Sequence, residues 1–270
     1  AGIGIYLINL DRRPDRLGRL AARFSELGLD FTRIEAIDGA ACPADEIDPH
    51  FLPKGPLGQL GQGDKACTLS HFRALEAFLA TDAEAAVIFE DDVEIAADFP
   101  DIVADLHWIP PGHDLVKLDI YGTRGLTILL GPQIGRAGGR ALHPLLSRHA
   151  GGAGYLVTRA GAERILAAAA AGPVPVPIDH LLFNANVSPL ARALQPLQVH
   201  PGLVRQDRRA LGSDIGLQRK ASVPKGVAYW WRETVRGLYE IRRLPVQLWH
   251  LARGARLVTP RYEDGGGKTR

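Results

Sequence analysis

The chain opens on a nearly unbroken apolar run, Ile3 to Leu10, of the kind that fills a strand buried on both faces. A polar stretch, Asp11 to Arg16, follows. Pro14 suits the first turn of a helix, and Leu17, Leu20, Ala21, Phe24 and Leu27 recur at helical spacing until Gly28 can end it. Phe31 to Ile37 alternates and predicts a second strand, closed by the turn signal Asp38-Gly39. Residues 40–64, with Pro43, Pro49, Pro53 and Pro56 and several glycines, read as a long irregular loop, the sort that is functional or mobile. A helix over 66–80 places Leu69, Phe72, Leu75, Phe78 and Leu79 on one face. Val87-Ile88-Phe89, led in by Ala85-Ala86, predicts a buried strand continuing to Val93, and Asp114 to Ile120 alternates as another. Gly151 to Gly154 is a glycine-rich turn entering a strand that ends at Thr158. Thr158 can cap a helix reaching Ala171, where Gly172 stops it. Pro173 to Pro177 is stiff and extended, and delivers Asp179 to the apolar Leu181-Leu182-Phe183. Val199 to Gln206 closes this body. Strands alternating with helices predict an α/β fold.

Composition sets the scale. With 270 residues, 46% of them hydrophobic, the chain suits one large domain, or one with an appendage. No apolar run approaches the roughly 18 residues that span a bilayer. No signal peptide is visible before the first strand. The sequence contains no Met, so the recorded start is a processed or engineered one and a removed leader stays open. Cys42 and Cys67 are expected to be unpaired, as in a reducing compartment.

Charge divides the chain. Residues 1–204 carry 17 Lys/Arg against 24 Asp/Glu, a net of −7, whereas residues 205–270 carry 15 against 6, a net of +9. The basic end interleaves Tyr229, Trp230, Trp231 and Trp249 with Arg232, Arg236, Arg242, Arg243, Arg253 and Arg256, as an amphipathic helix interrupted at Pro245. That mixture fits the surface of an anionic membrane, or a helical hairpin packed on the core. The acidic body disfavours nucleic acid as a partner. Residues 263–270 are expected to be disordered.

Three places carry candidate chemistry. Glu90-Asp91-Asp92 puts three carboxylates at a strand end, where mutual repulsion raises pKa values unless a cation is supplied. Oxygen donors of this kind suit Mg²⁺ or Mn²⁺, although a solvated turn would look the same. Arg12 and Arg13, between a strand and a helix N-terminus, suit a phosphate or nucleotide, or form a charged solvated loop. Asp179 is either a helix cap or a positioned acid. The Gly151–Gly154 turn lacks the Gly-Lys-Ser/Thr of a Walker loop.

In order, these blocks resemble glycosyltransferase family 25, the bacterial lipooligosaccharide β-galactosyltransferase family that includes collagen galactosyltransferases. The matching stretches are Tyr6 to Arg16, Ala66-Cys67-Thr68-Leu69-Ser70-His71 (with Ala66 for the usual Gly), Ile88 to Val93, Gly154 to Ala162, Pro177-Ile178-Asp179 and Pro201 to Gln206. The resemblance implies a GT-A fold, a Rossmann-like mixed sheet flanked by helices, over residues 1–219. Residues 220–262 would form a basic helical appendage and 263–270 a loose tail. It implies transfer of a hexose, galactose first, from a UDP-sugar with Mn²⁺ or Mg²⁺ and inversion, to a lipooligosaccharide or other envelope glycan. The cytoplasm, or the inner face of a bacterial inner membrane, would be the location. By resemblance, Asp92 would be the main metal ligand, Glu90 and Asp91 would face the ribose or the metal, and His200 would complete the metal shell. Asn9, Arg12, Arg13 and Arg16 would lie near uridine or diphosphate, and Ser70 and His71 in the donor site or capping a helix. Asp179 would be the base, with Asp119 second. A non-catalytic nucleotide-sugar-binding protein and a metal-dependent phosphohydrolase stay open as alternatives.

Overall fold

A computed structural model describes residues 2–121, 126–206 and 227–265; the side chains of 227–233 and 236 lie outside that description. Eight strands form the main sheet: β1 (Ile3–Asn9), β2 (Thr32–Glu35), β3 (Ala85–Glu90), β5 (Leu115–Lys117), β8 (Gly135–Ala137), β9 (Arg140–Pro144), β10 (Gly154–Thr158) and β11 (Leu197–His200), in the order β2-β1-β3-β10-β5-β11-β9-β8. β1 is parallel to both β2 and β3, whereas β10 runs antiparallel to β3 and to β5. A small sheet orders β4 (Val93–Ile95), β12 (Val204–Gln206) and β6 (Asp119–Ile120), and a ribbon joins β7 (Ile128–Leu130) to β13 (Arg256–Val258).

Alternation along the central strands fills a core on each face. Ala86 and Ile88 of β3 pack on one side with Tyr6, Ile8, Tyr155 and Val157. Ala85, Val87 and Phe89 pack on the other with Ile5, Leu7 and Leu156. Helix α1 (Pro14–Glu26) covers the second side through Leu20 and Phe24, while α3 (Gln62–Leu79) covers the first through Phe72, Leu75 and Phe78. The chain leaves β1 for β2 through α1 and crosses back to β3 through α3. A crevice therefore opens beyond the carboxyl ends of β1 and β3, where open α/β sheets bind ligands.

The structure redraws several expected boundaries. The irregular loop contains α2 (Ala44–Ile47) and a 3₁₀ turn, Asp48–His50, and α3 begins at Gln62. The strand expected to reach Val93 stops at Glu90, so Asp91 and Asp92 form the turn into β4. The 114–120 strand breaks between β5 and β6. Helix α4 (Phe99–Val103) and β7 to β9 belong to regions without a sequence assignment. Thr158 does cap α5 (Arg159–Ala170), accepting from the Gly161 amide. Helices α6 (Ile178–Phe183) and α7 (Pro189–Leu194) complete the body.

The C-terminal helix, α8 (Val227–Ala252), runs through Pro245 instead of breaking there. Its Tyr239 packs on the core, Arg148 pairs with Glu240 at 3.5 Å, and β13 then pairs with β7. Glu263 to Gly265 are not loose. Arg140 donates to the Glu263 carbonyl at 2.7 Å, and the Ala97 amide donates to the Asp264 carbonyl at 2.7 Å. The rest of that tail, 266–270, lies outside the described residues. Among the described residues, no helix is long and apolar enough to cross a membrane, and no disulfide joins Cys42 to Cys67.

Candidate active site

Register brings the acids to the crevice. Ile8 lies opposite Glu90 on parallel strands, so Asn9 and Asp91 emerge side by side. The Asn9 amide donates to Asp91 Oδ2 at 2.8 Å, and Arg16 donates to Oδ1 at 2.7 Å in a buried ion pair. Both Asp91 oxygens thus have protein donors. Asn9 and Arg16, expected beside the donor, serve instead to hold Asp91 and fix the turn that follows it.

Asp92 has a different environment. It is buried, and both of its oxygens accept from the Gln206 amide at 3.1 Å, which also donates to Glu90 Oε2 at 3.2 Å. A neutral amide therefore bridges two carboxylates. Burial first, and then Glu90, pushes the Asp92 carboxyl up to about 7. A buried acid and a half-buried one joined by an amide, with hard oxygen donors facing a cavity, fit a divalent cation such as Mn²⁺ or Mg²⁺.

Two cavities meet at this pair. One is lined by Ile8, Leu10, Arg12, Ile37, Asp38 and Ser70, with Cys67, Glu90 and Asp91 at its inner end. Arg12 donates to Asp38 at 2.6 Å and holds that carboxyl below its ordinary value. Ser70 accepts from the Ile37 amide at 2.9 Å, which pins this wall to α3. The second cavity is lined by Asp64, Cys67, Glu90, Asp92, Gly151, Gly152, Asp179 and Gln206. Cys67 and Glu90 line both, so the two cavities adjoin there.

Asp179 faces this second cavity from the first turn of α6. The helix cap is Pro177, so Asp179 is not the cap. Its Oδ2 accepts from the Gly151 amide at 3.0 Å and its Oδ1 from the His180 amide at 2.9 Å. The Ile178 amide donates to Thr68 at 3.1 Å, tying α6 to α3. The proline run before it is braced by residues 50–55, where Gly55 packs so closely on Pro175 that a Cβ would fall 1.8 Å from the Pro175 carbonyl oxygen. Gly151 has φ +82°, and its turn presents an amide to Asp179 while its carbonyl accepts from Lys117.

Other expected residues lie elsewhere. Asp119 is fully buried, ion-paired with Lys117 at 2.5 Å, and lines neither cavity. The structure thus uses it to anchor Lys117 beneath the Gly151 turn. His200 is not brought to the acids: its ring stacks edge-on to His143, with Arg261 and Glu263 nearby, and burial lowers its pKa. Placing His200 in the metal shell is therefore corrected, because β11 carries it to the β9 side of the sheet. Arg13 pairs with Asp15 at 2.9 Å. His71 is fully buried between Tyr155 and Glu90. Sequence reasoning gave no role to Gln206, Asp38, Asp64 or Lys117. Gln206 stood at the end of a quoted block and Asp38 in a marked turn, but only folding shows what each faces.

A family model described as Glycosyltransferase family 25 (LPS biosynthesis protein) matches residues 3–182. Lipooligosaccharide biosynthesis protein lic2B of Haemophilus influenzae is 26% identical over 223 residues, covering 78% of this chain and 79% of that protein. The lacto-N-neotetraose biosynthesis glycosyltransferase LgtB of Neisseria gonorrhoeae is 26% identical over 234 residues, 80% of this chain and 81% of its own. A Glycosyltransferase 25 family member of Aedes aegypti is 35% identical over 112 residues, 38% of this chain; the match spans only 18% of that relative's length.

Proposed function

The chain belongs to glycosyltransferase family 25, and from that premise we propose that it transfers a hexose, galactose first among candidates, from a UDP-sugar to a lipooligosaccharide or related envelope glycan, with inversion. The observation that carries this reading is the convergence of Glu90, Asp92 and Asp179 on one cavity, adjoining an apolar slot edged by Arg12. The slot suits a planar base, and Arg12 suits a phosphate oxygen.

Asp92 and Glu90 would hold Mn²⁺ or Mg²⁺, which when bound stabilises the charge of a departing diphosphate as a Lewis acid. Asp179 acts as the general base. Two backbone amides orient its carboxylate toward the cavity. The acceptor hydroxyl gives its proton to Asp179 as its oxygen bonds to the anomeric carbon and the bond to the diphosphate oxygen breaks. Displacement from the opposite face inverts that carbon. Asp91, Asn9 and Arg16 hold the turn that presents Asp92.

The test is transfer and donor hydrolysis with a panel of UDP-sugars, with and without Mn²⁺. Metal-dependent turnover of at least one donor is expected, and Asp179→Asn should retain donor binding while losing transfer. No turnover of any UDP-sugar by folded protein would overturn the enzyme reading.

A glycolipid acceptor calls for a surface to work on. Helix α8 presents Leu238 (59% exposed), Ile241 (64%), Leu248 (55%) and Trp249 (52%) outward, flanked by Arg242 and Arg253. This apolar face with basic neighbours fits the cytoplasmic face of an anionic membrane. Replacing Ile241 and Leu248 together by Glu should abolish co-sedimentation with anionic vesicles; unchanged association would assign the face to something else.

A further inference from the structure

We propose that Cys67, His71 and Glu90 form a second cation site, suited to a borderline-soft divalent ion such as Zn²⁺, at the junction of the two cavities. The site stands on the geometry of these three residues; only its effect on transfer rests on the glycosyltransferase reading.

Cys67 and His71 are four residues apart on α3 and share a face. Glu90 ends β3 on the face that meets α3, in alternation with Ala86 and Ile88. One donor atom from each lies within 4.8 Å of the other two. Glu90 Oε1 is 3.5 Å from His71 Nε2 and 3.9 Å from Cys67 Sγ. Tetrahedral zinc, with Zn–S near 2.3 Å and Zn–N or Zn–O near 2.0 Å, sets ligand atoms about 3.3–3.5 Å apart. Closing the cluster therefore takes adjustments of about 1.3 Å or less.

His71 supplies the independent observation. Its ring is fully buried, and among the described residues Nε2 makes no hydrogen bond, with Glu90 Oε1 3.5 Å away. A buried nitrogen left without a donor or acceptor is costly unless it serves something. Nδ1 lies 3.1 Å from the Tyr155 hydroxyl. A neutral imidazole whose Nδ1–H donates to that hydroxyl oxygen is the tautomer suited to bind a metal. That tautomer puts the Nε2 lone pair toward Glu90 and Cys67, the arrangement by which an outer partner orients a metal-binding histidine.

Ligand chemistry separates this site from the oxygen site at Asp92. A thiolate and an imidazole prefer Zn²⁺ or Co²⁺ over Mn²⁺ or Mg²⁺. Cys67 and Glu90 line both cavities, so an ion held by them would be within reach of water or substrate there. Glu90 is common to both sites: Oε2 accepts from Gln206, while Oε1 faces His71. Zinc drawing Glu90 toward α3 competes with the arrangement proposed for donor binding, and micromolar Zn²⁺ should inhibit a Mn²⁺-supported reaction.

The test uses the full chain, stripped of metal and titrated with Co²⁺. Expected are one equivalent bound, tetrahedral d–d bands and a near-ultraviolet thiolate-to-cobalt charge-transfer band, all displaced by Zn²⁺. Cys67→Ser should remove the charge-transfer band, and His71→Gln should weaken binding about tenfold or more. Cys42→Ser and Asp92→Asn should keep the band, so loss of the oxygen site leaves this result intact. In the unmodified protein, Zn²⁺ should slow alkylation of Cys67 about tenfold with Cys42 as internal reference, read site by site by mass spectrometry. No charge-transfer band in the wild-type chain, a band that survives Cys67→Ser, or alkylation of Cys67 indifferent to Zn²⁺ would each overturn the proposal.

Discussion

The Lys117–Asp119 segment and the Glu90–Asp92 turn face the same electrostatic problem and meet it in opposite ways. In each, a carboxylate is taken out of water near a strand end. At Asp119 the chain provides its own cation, with the Lys117 ammonium 2.5 Å from Oδ1 and 4.5 Å above the Phe183 ring. At Asp92 the nearest donor is the neutral Gln206 amide. Asp91, between them in kind, is neutralised by Arg16. Burying a charge is tolerated when its partner is built in and remains a standing cost when it is not. An acid with a resident cation is scaffold; an acid left with an amide is poised for a cation from solution. By this measure Asp119, with Lys117 built in beside it, is scaffold.

The largest effect should come from Asp92→Asn, which removes the buried carboxylate that accepts from the neutral Gln206 amide. Turnover at saturating Mn²⁺ should drop about 10³-fold, corresponding to several kcal/mol of lost charge stabilisation. A loss under about tenfold would move the metal away from Asp92. Next, Lys117→Met strands Asp119 without a partner and should destabilise the fold by about 3–5 kcal/mol in chemical denaturation. A cost below about 1 kcal/mol would break the comparison from the other side.

A pH dependence should follow in cation-free protein. The Asp92 carboxyl is raised to about 7 in the folded chain from 3.8, so its folded state favours the proton. This contribution to stability is whole below pH 3.8, is lost progressively as the pH rises, and is gone above about 7. Asp92→Asn should therefore exceed the wild type in unfolding free energy at pH 8, by an amount on the order of 4 kcal/mol that shrinks toward pH 4. Equal stability at pH 8 would mean that the ionised Asp92 is not strained. The smallest effect belongs to Gln206→Met. Loss of the bridging amide should cost about 1–2 kcal/mol without cation, and less with Mn²⁺ present. An unchanged cost with Mn²⁺ would show that the amide and the ion do not substitute for one another.

Much of this arrangement was legible in the chain, but unevenly. Strongly periodic stretches such as Leu17–Leu27 and the apolar run before Glu90 predicted α1 and β3, because burial on a face leaves a period in the sequence. The acid triplet and Asp179 stood out because like charges at a strand end, and an acid after a proline run, are locally odd. What was not legible is which acid receives which partner. Asp91 and Asp92 are chemically identical neighbours, and only the register of β1 against β3 sends Arg16 to one, while β12 sends Gln206 to the other. His200 misled for the same reason: a histidine beside a quoted block carries no sign of the sheet face it will occupy. The short strands β7 to β9 left too little pattern to read, and Pro245 suggested a break that α8 passes through.

If the exposed face of α8 meets a bilayer as proposed, the pairing of β13 with β7 sets how the protein stands on it. Helix α8 ends at Ala252, and within a few residues the chain is paired to the ribbon and then clasped by Arg140. A hydrophobic face attached this way cannot swing on a leash. The height and tilt at which the catalytic cleft looks down on a lipid-linked glycan would be dictated by backbone hydrogen bonds, so chain length in the acceptor, and not motion of the protein, would decide which sugars come within reach.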